Sequence, residues 1–281
     1  MIISRYMTFK RFVDVCRKGL FLPPANYYLK NDPWEGLTIF HWRQIAEQIA
    51  TQNLNVFNRK QIEMGNETIT DVDIIEPTPI MGRGKINDAL THVFLSCWYN
   101  STEESMAMWK LYSQDTCGVC IETDIDKLKA MFEKLWQAHN RKLFIMARNV
   151  TYINPKENPP SEVEQSTFEF SDPNGQNISN PSHCFALGGL SLKHSALSFE
   201  KEFRVICDSF MLGNSSLLRG RKPNKGIRVQ LTKDFIRRVV VCPGMKNSRK
   251  NKVADVLKDR DIYCPVERSA FDFESFQWSV K

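Results

Sequence analysis

The chain has 281 residues, of which 42% are hydrophobic and 25% are charged, and its formal net charge is +6 at pH 7. This composition is ordinary for a globular protein, and the length allows a sizeable buried core. No apolar run is long enough to span a membrane, and residues 1–11 lack the layout of a secretory signal. We therefore predict a soluble cytoplasmic protein with no membrane contact.

The strands and helices predicted from periodicity and capping signals alternate along the whole chain. The predicted strands cover residues 2–6, 20–22, 92–98, 118–123, 143–153, the stretch 199–207, then 227–231, 237–242 and 262–266. The predicted helices run from a Thr8 cap to 18, over 38–50, from a cap at Ser101 or Thr102 past 112, over 124–139, 184–192 and 246–258. Without an internal repeat or a clear boundary, this indicates one mixed α/β (α+β) domain over 1–281. We expect a mixed or antiparallel central sheet with flanking helices and long loop insertions.

Three segments between these elements are predicted to be loops. The first, Asn31-Asp32-Pro33-Trp34-Glu35-Gly36, is either a ligand-binding loop or a turn whose Asn and Asp satisfy local backbone groups. Residues 51–90 are polar, with several Pro and Gly, and indicate an insertion or lid. Residues 154–182 contain five prolines and predict a mobile loop just before the stretch 199–207.

The eight cysteines are scattered, several of them inside apolar strand-like runs, as is typical of buried free thiols in a reducing compartment. Only Cys117 and Cys120 have metal or redox spacing, and no second Cys/His pair follows at zinc-finger distance. None of the five histidines stands in metal-ligand or triad spacing, and no phosphate-loop, dinucleotide-loop or nucleophile-elbow motif is present. We expect no metal cofactor.

The positive charge is unevenly distributed. Residues 201–264 hold 16 Lys or Arg and 6 Asp or Glu, a balance of +10. A basic C-terminal third suggests contact with a polyanion such as nucleic acid through residues 219–260, although solvated basic faces are common and no stacking aromatics are interleaved there.

The most informative stretch runs from Phe199 to Cys207, with Glu200 and Glu202 ahead of an apolar segment. On a strand, these carboxylates share one face with Arg204, because side chains alternate with period two. Two like charges on one face need a cationic or polar partner. The stretch is either a solvated strand edge with a Glu–Arg pair or a strand that presents a carboxylate to a substrate hydroxyl.

Other candidate residues lie on the predicted first and middle strands. Arg5, beside Tyr6, is either a strand-end charge reaching water or a ligand-binding cation. Ser96 is either a tolerated small residue or a hydroxyl placed in a cleft. Trp109 belongs to a Met and aromatic stripe at helical spacing, which is more typical of a core than of a cofactor site.

These segments together resemble a widespread bacterial family of unknown function. The features that carry the resemblance occur in order along nearly the whole chain: Arg5-Tyr6, Asn31-Asp32-Pro33-Trp34-Glu35, Phe94-Leu95-Ser96-Cys97-Trp98, Met108-Trp109-x-x-Tyr112, Gly118-Val119-Cys120-Ile121, Lys193, Glu200-x-Glu202-x-Arg204 and Val239-Val240-Val241-Cys242-Pro243-Gly244. The resemblance brings no activity with it.

The layout also resembles ADP-ribosyltransferases, although Ser96 is followed by Cys97 and Trp98 and not by the rest of that family's Ser-Thr-Ser pattern. The resemblance implies NAD as co-substrate, with Arg5 on its pyrophosphate or ribose and Ser96 supporting the nicotinamide ribose. It further implies that Glu202 bonds a ribose hydroxyl and stabilises an oxocarbenium-like transition state, while Glu200 orients the acceptor. Tyr6, Trp98 or Trp109 would stack on nicotinamide.

Three functional hypotheses follow from these residues. The first is an NAD-using ADP-ribosyltransferase-like enzyme or NAD glycohydrolase, in a toxin or phage-defence setting, acting on protein or nucleic acid. The second is a non-catalytic nucleic-acid or nucleotide-binding module, suggested by the basic stretch. The third is a metal-dependent nuclease built on Asp32, Glu35, Glu200 and Glu202.

Overall fold

A computed structural model describes residues 1–31, 91–113, 117–141, 143–154, 167–170, 190–209 and 226–272. Its twelve strands are β1 (Ile2–Thr8), β2 (Leu20–Leu22), β3 (Val93–Tyr99), β4 (Gly118–Asp124), β5 (Phe144–Asn149), β6 (Thr151–Ile153), β7 (Phe168–Phe170), β8 (Leu192–His194), β9 (Glu202–Asp208), β10 (Ile227–Val229), β11 (Arg238–Val241) and β12 (Val266–Arg268). The helices are α1 (Phe9–Lys18), α2 (Ala25–Asn31), α3 (Met106–Tyr112), α4 (Ile125–Ala138) and α5 (Asn247–Lys258), with a 3-10 helix over Ser195–Glu200.

Eight strands form one sheet in the order β12-β11-β4-β1-β3-β9-β5-β7. The β11–β12 pair is parallel and the other neighbours are antiparallel, so the sheet is mixed. Two small sheets pair β10 with β2 and β6 with β8. The predicted α+β class is therefore confirmed, and of the two expected sheet types, mixed or antiparallel, the sheet is mixed.

The main core lies between this sheet and helices α1, α4 and α5. Phe12, Phe132 and Val253 on these helices are fully buried in one cluster with sheet residues such as Ile121 and Val205. A smaller cluster beside β3, β5 and β9 includes Ala25 of α2 and has Tyr28 and Cys97 packed against it. Within the described residues, no helix is both long and apolar enough to cross a membrane.

Strands β1 and β3 are neighbours, but one residue pair, Ser4 with Tyr99, defines their register. Near its start, β3 pairs with the segment that follows β2. Phe94 forms a β-bridge with Pro24, and the Leu95 amide donates a hydrogen bond to the Pro23 carbonyl at 3.0 Å. The chain after β2 thus lies against β3 and brings α2 with it. This arrangement places Tyr28 within 3.7 Å of the Cys97 sulfur.

Local signals located the first helix correctly. Thr8 caps α1 by accepting a hydrogen bond from the Arg11 amide at 3.3 Å, and Gly19 follows its last residue with a φ of +85°.

Replacing Gly19 by Ala should lower the free energy of unfolding by about 2 kcal/mol, because L-residues avoid this backbone region. A Cβ at residue 19 would also lie 2.4 Å from the Val229 carbonyl oxygen. Urea unfolding measures the change, with Lys18→Ala as control, since that replacement removes an exposed cation and its surface ion pair with Asp14 at the same helix end. Equal stability of the two variants would contradict the prediction.

Several predicted boundaries were wrong for identifiable local reasons. Ser105, and not Ser101 or Thr102, caps α3 by accepting from the Met108 amide. The predicted strand 143–153 is interrupted at Val150, whose amide donates to the Glu202 carbonyl. The last strand covers Val266–Arg268 in place of 262–266.

Other predicted segments lie wholly or partly outside the described residues. They are Asp32 to Gly36, the helix over 38–50, the insertion over 51–90, and most of 154–182 and 184–192. Within 154–182, residues Phe168–Phe170 form β7 and pair with β5. Residues Leu192–His194 form β8 and pair with β6.

Candidate functional site

A buried ion-pair cluster lies where β8, the 3-10 helix and β9 meet. The Lys193 ammonium contacts Glu200 Oε2 and lies 3.0 Å from Glu202 Oε2. All three side chains are at most one-tenth exposed. One lysine therefore bridges the two carboxylates that the sequence singled out.

The local backbone explains how both carboxylates reach this lysine. Glu200 ends the 3-10 helix and Glu202 begins β9, so the expectation that both lie on one strand was wrong for Glu200. Lys201 between them has a φ of +38°, in the left-handed region. This turn brings the two side chains together without strand alternation. The Lys201 carbonyl accepts from the Asn100 amide at 2.8 Å, which holds the turn against the end of β3.

Arg204 is the second cationic partner of Glu202, in addition to Lys193. Arg204 Nε lies 2.7 Å from Glu202 Oε1, and its Nη2 lies 2.9 Å from Oε2, a two-point contact within one strand. The Arg204 side chain is 0% exposed, and its Nη1 donates to the Leu190 carbonyl. The predicted Glu–Arg pair on one face of the strand is therefore present, but buried and not at a solvated edge.

The electrostatics hold Glu202 ionised. Burial alone would raise the pKa of Glu202, but the charges of Arg204 and Lys193 outweigh it and lower the pKa to about 2. A carboxylate bound on both oxygens by two cations has little freedom to take up a proton near neutral pH. Glu202 is therefore better suited to a structural role in the cluster than to proton transfer.

Glu200 faces the more open side of the cluster. Its Oε1 accepts a hydrogen bond from the Tyr112 hydroxyl at 3.0 Å, and Tyr112 on α3 is 38% exposed. Burial of the hydroxyl and the Glu200 charge both raise the pKa of Tyr112, so the phenol stays protonated and donates. Displacement of one phenol would expose this carboxylate, whereas exposing Glu202 would require breaking a two-point arginine contact.

Two further tyrosines enclose the cluster. The Tyr152 hydroxyl accepts from the Glu202 amide at 2.8 Å, and Tyr152 pairs with Lys193 across β6 and β8. Burial raises the pKa of Tyr152 to about 12. The Cys97 sulfur lies 3.7 Å from the Tyr28 hydroxyl, and the Cys97 thiol also forms a hydrogen bond with Glu202. These neighbours fix the orientation of the cluster.

Arg5 lies on β1, the strand next to β3 in the main sheet. Its Cζ lies 5.7 Å from the centre of the Trp98 ring, a cation–π distance. Its Nη1 atom is buried and has no hydrogen-bond partner among the described residues. The pKa of the Tyr28 hydroxyl is raised mainly by burial. The charge of Arg5 lowers this pKa and the charge of Glu202 raises it, so both charged groups influence the same hydroxyl. An unsatisfied buried guanidinium N–H is costly and is a group that an anionic or carbonyl ligand would satisfy.

The other sequence candidates are not gathered at this position. Ser96 is fully buried, and its Oγ accepts from Trp98 Nε1 at 2.9 Å. Trp109 donates to Glu104 at 3.0 Å and packs edge-on against Tyr6 at 4.8 Å. Tyr6 accepts from the Ser105 amide at 3.1 Å. Each of these groups has a partner within the described protein.

Sequence reasoning missed four residues as site members: Lys193, Tyr112, Tyr152 and Tyr28. Lys193 and Tyr112 were visible as parts of motifs, but no signal paired them with Glu200. Tyr28 and Tyr152 are distant along the chain and carried no local signal.

Asp32 and Glu35, proposed as metal ligands, lie outside the described residues. Among the described ones, no group of three or more His, Cys, Asp or Glu is arranged to hold a metal ion.

Residues 108–205 match the model of a family described as a protein of unknown function (DUF2971). Over these residues the predicted resemblance to a domain-of-unknown-function family is confirmed. The matched segment contains Tyr112 and the whole ion-pair cluster, whereas Arg5 and Tyr28 precede it. No curated protein and no solved structure matches the chain.

Proposed function

We propose that the chain cleaves the nicotinamide–ribose bond of NAD, as an ADP-ribosyltransferase-like enzyme or a glycohydrolase. The supporting observation is the position of Arg5, whose guanidinium has a buried N–H without a hydrogen-bond partner among the described residues. Arg5 lies on β1, next to β3 in the sheet. Its charge and the charge of Glu202 both shift the pKa of Tyr28. A free guanidinium N–H suits a phosphate oxygen. The nearby carboxylate cluster suits a sugar that becomes positively charged.

In this proposal Arg5 binds a phosphate oxygen of NAD, and Glu200 replaces Glu202 as the carboxylate that meets the ribose. Tyr112 leaves Glu200 Oε1, which then accepts a ribose hydroxyl. The glycosidic C–N bond breaks, its electron pair leaves with neutral nicotinamide, and positive charge develops on the ribose. The fixed carboxylate stabilises that charge. Water or an acceptor oxygen then forms the new C–O bond and releases a proton.

The test is nicotinamide release from NAD by the purified protein, with and without cell lysate. Glu200→Gln should lower kcat about 10²-fold or more, because it removes charge that matters in the transition state. Arg5→Gln should mainly raise KM for NAD, because it removes a ground-state phosphate contact. Glu267→Gln and Arg11→Gln, at exposed surface positions, are the matched controls. Absence of release under both conditions would overturn the proposal, and full activity of Glu200→Gln would overturn the residue assignment.

A second candidate function is polyanion binding, since α1 packs against α5 and both helices expose basic side chains. The exposed cations include Lys10 and Arg11 on α1, Lys246 at the start of α5, and Arg249 and Lys252 within it. The N-terminal helix thus adds to the basic region predicted from residues 219–260. Binding of a duplex oligonucleotide should weaken steeply with salt, and a flat salt response would argue against this function.

A further inference from the structure

We propose that a cavity between the end of α1 and the end of α5 binds a phosphate monoester. The cavity has a volume of about 170 Å³ and is lined by Arg17, Gly19, Thr232, Lys233 and Arg260, among others. Three cationic residues from three separate segments therefore line one small concavity. The proposal does not depend on the NAD activity, because the cavity shares no residue with the ion-pair cluster.

Two of the three cations have no acidic partner among the residues that the structure describes. Arg17 and Arg260 form no ion pair and no side-chain hydrogen bond with the rest of the described chain. Lys233 lies 3.2 Å from Asp261. The described side chains of the cavity therefore carry a charge of about +2 after that pair is counted. Unpaired guanidinium groups are the preferred protein partners of phosphate oxygens.

The helix ends do not cancel this charge. The C-terminal ends of α1 and α5 each present the equivalent of roughly half a negative charge, which favours nearby cations and opposes an anion. This effect alone would explain Arg17 on α1 or Arg260 after α5 as single surface cations. It does not explain why both arginines line one concavity together with Lys233. Roughly one negative charge from two helix ends leaves the site positive.

The volume limits the ligand to a small group. Pockets for drug-sized ligands typically measure roughly 300–1,000 Å³, which is well above the volume found here. A whole dinucleotide such as NAD therefore does not fit, whereas a single phosphate group with a few waters does. The phosphate group can come from a free small molecule or from the phosphorylated end of a nucleic-acid strand, and the chemistry of recognition is the same.

Titration with inorganic phosphate at constant ionic strength, followed by calorimetry, tests the site. Arg17→Gln and Arg260→Gln should each weaken phosphate binding about tenfold, as expected for loss of one charge-assisted hydrogen bond. Lys129→Gln and Lys134→Gln remove exposed cations of α4, which belong neither to the cavity lining nor to the basic surface of α1 and α5, and should change the affinity less than twofold. Thermal unfolding midpoints verify that each variant is folded.

A pair of oligonucleotides identical except for a 5′-phosphate distinguishes the two sources of the group. Tighter binding of the phosphorylated strand, lost in Arg260→Gln, would identify a nucleic-acid end as the ligand. Equal binding of both strands, together with saturable binding of inorganic phosphate, would identify a small phosphate compound. Lack of saturable phosphate binding, or equal losses in the cavity and control variants, would overturn the proposal.

Discussion

Replacing Glu202 by Gln should lower the free energy of unfolding by about 3–5 kcal/mol, the usual cost of breaking a buried ion pair from one side. The substitution leaves Arg204, which is 0% exposed, without the carboxylate that binds its Nε and Nη2. It also removes one of the two carboxylates that neutralise Lys193. The neutral amide can accept hydrogen bonds but cannot balance these charges. Urea unfolding at neutral pH measures the loss.

The matched control is Glu267→Gln, which removes the same charge from an exposed pair. Glu267 lies 2.7 Å from Arg238 with 47% of its side chain exposed, and surface pairs of this kind contribute less than about 1 kcal/mol. A similar small loss in both variants would show that the Glu202 pair is not a structural centre. A large loss for Glu202 also means that inactivity of Glu202→Gln would not by itself identify a catalytic residue. The assignment of chemistry therefore depends on Glu200.

The parts of this architecture that the sequence predicted are those set by short-range rules. The cap at Thr8 and the glycine at 19 define α1, and strand alternation correctly put Glu202 and Arg204 on one face of β9. Both rules need only a few neighbouring residues. The α+β class likewise followed from the strand and helix patterns, which left the sheet as either mixed or antiparallel.

The parts that the sequence did not predict depend on long-range contacts or on competition between similar local signals. Lys201 in a left-handed conformation ends strand geometry between the two glutamates, and no glycine marked that position. Lys193 reaches them only because β8 pairs with β6. Ser101, Thr102 and Ser105 are all residue types that cap helices, and Ser105 is the one that caps α3. Ser96 and Glu202 lie on neighbouring strands, but the Ser96 hydroxyl accepts a hydrogen bond from the Trp98 indole and not from a group of the cluster.

Replacing Lys193 by Met should also destabilise the protein strongly at neutral pH, by about 3–5 kcal/mol, but this loss should shrink on acidification. Without the lysine, Glu200 and Glu202 are two buried like charges sharing one space, which raises the pKa of the pair. One proton taken up by the pair then relieves the repulsion. Because Glu202 remains bound by Arg204, Glu200 is the carboxylate that loses its cation in this variant, and Tyr112 is the neighbour that still contacts it.

The parent protein should show the opposite pH dependence. The pKa of Glu202 is lowered from its ordinary value of 4.5 to about 2, so its stabilising contribution is fully present above pH 4.5 and is lost as the pH falls toward 2. A lowering of that size corresponds to about 3 kcal/mol. Urea midpoints measured from pH 7 down to 3 should therefore converge for the parent and Lys193→Met. Parallel curves would contradict the assignment of Lys193 as the cation that neutralises the two carboxylates.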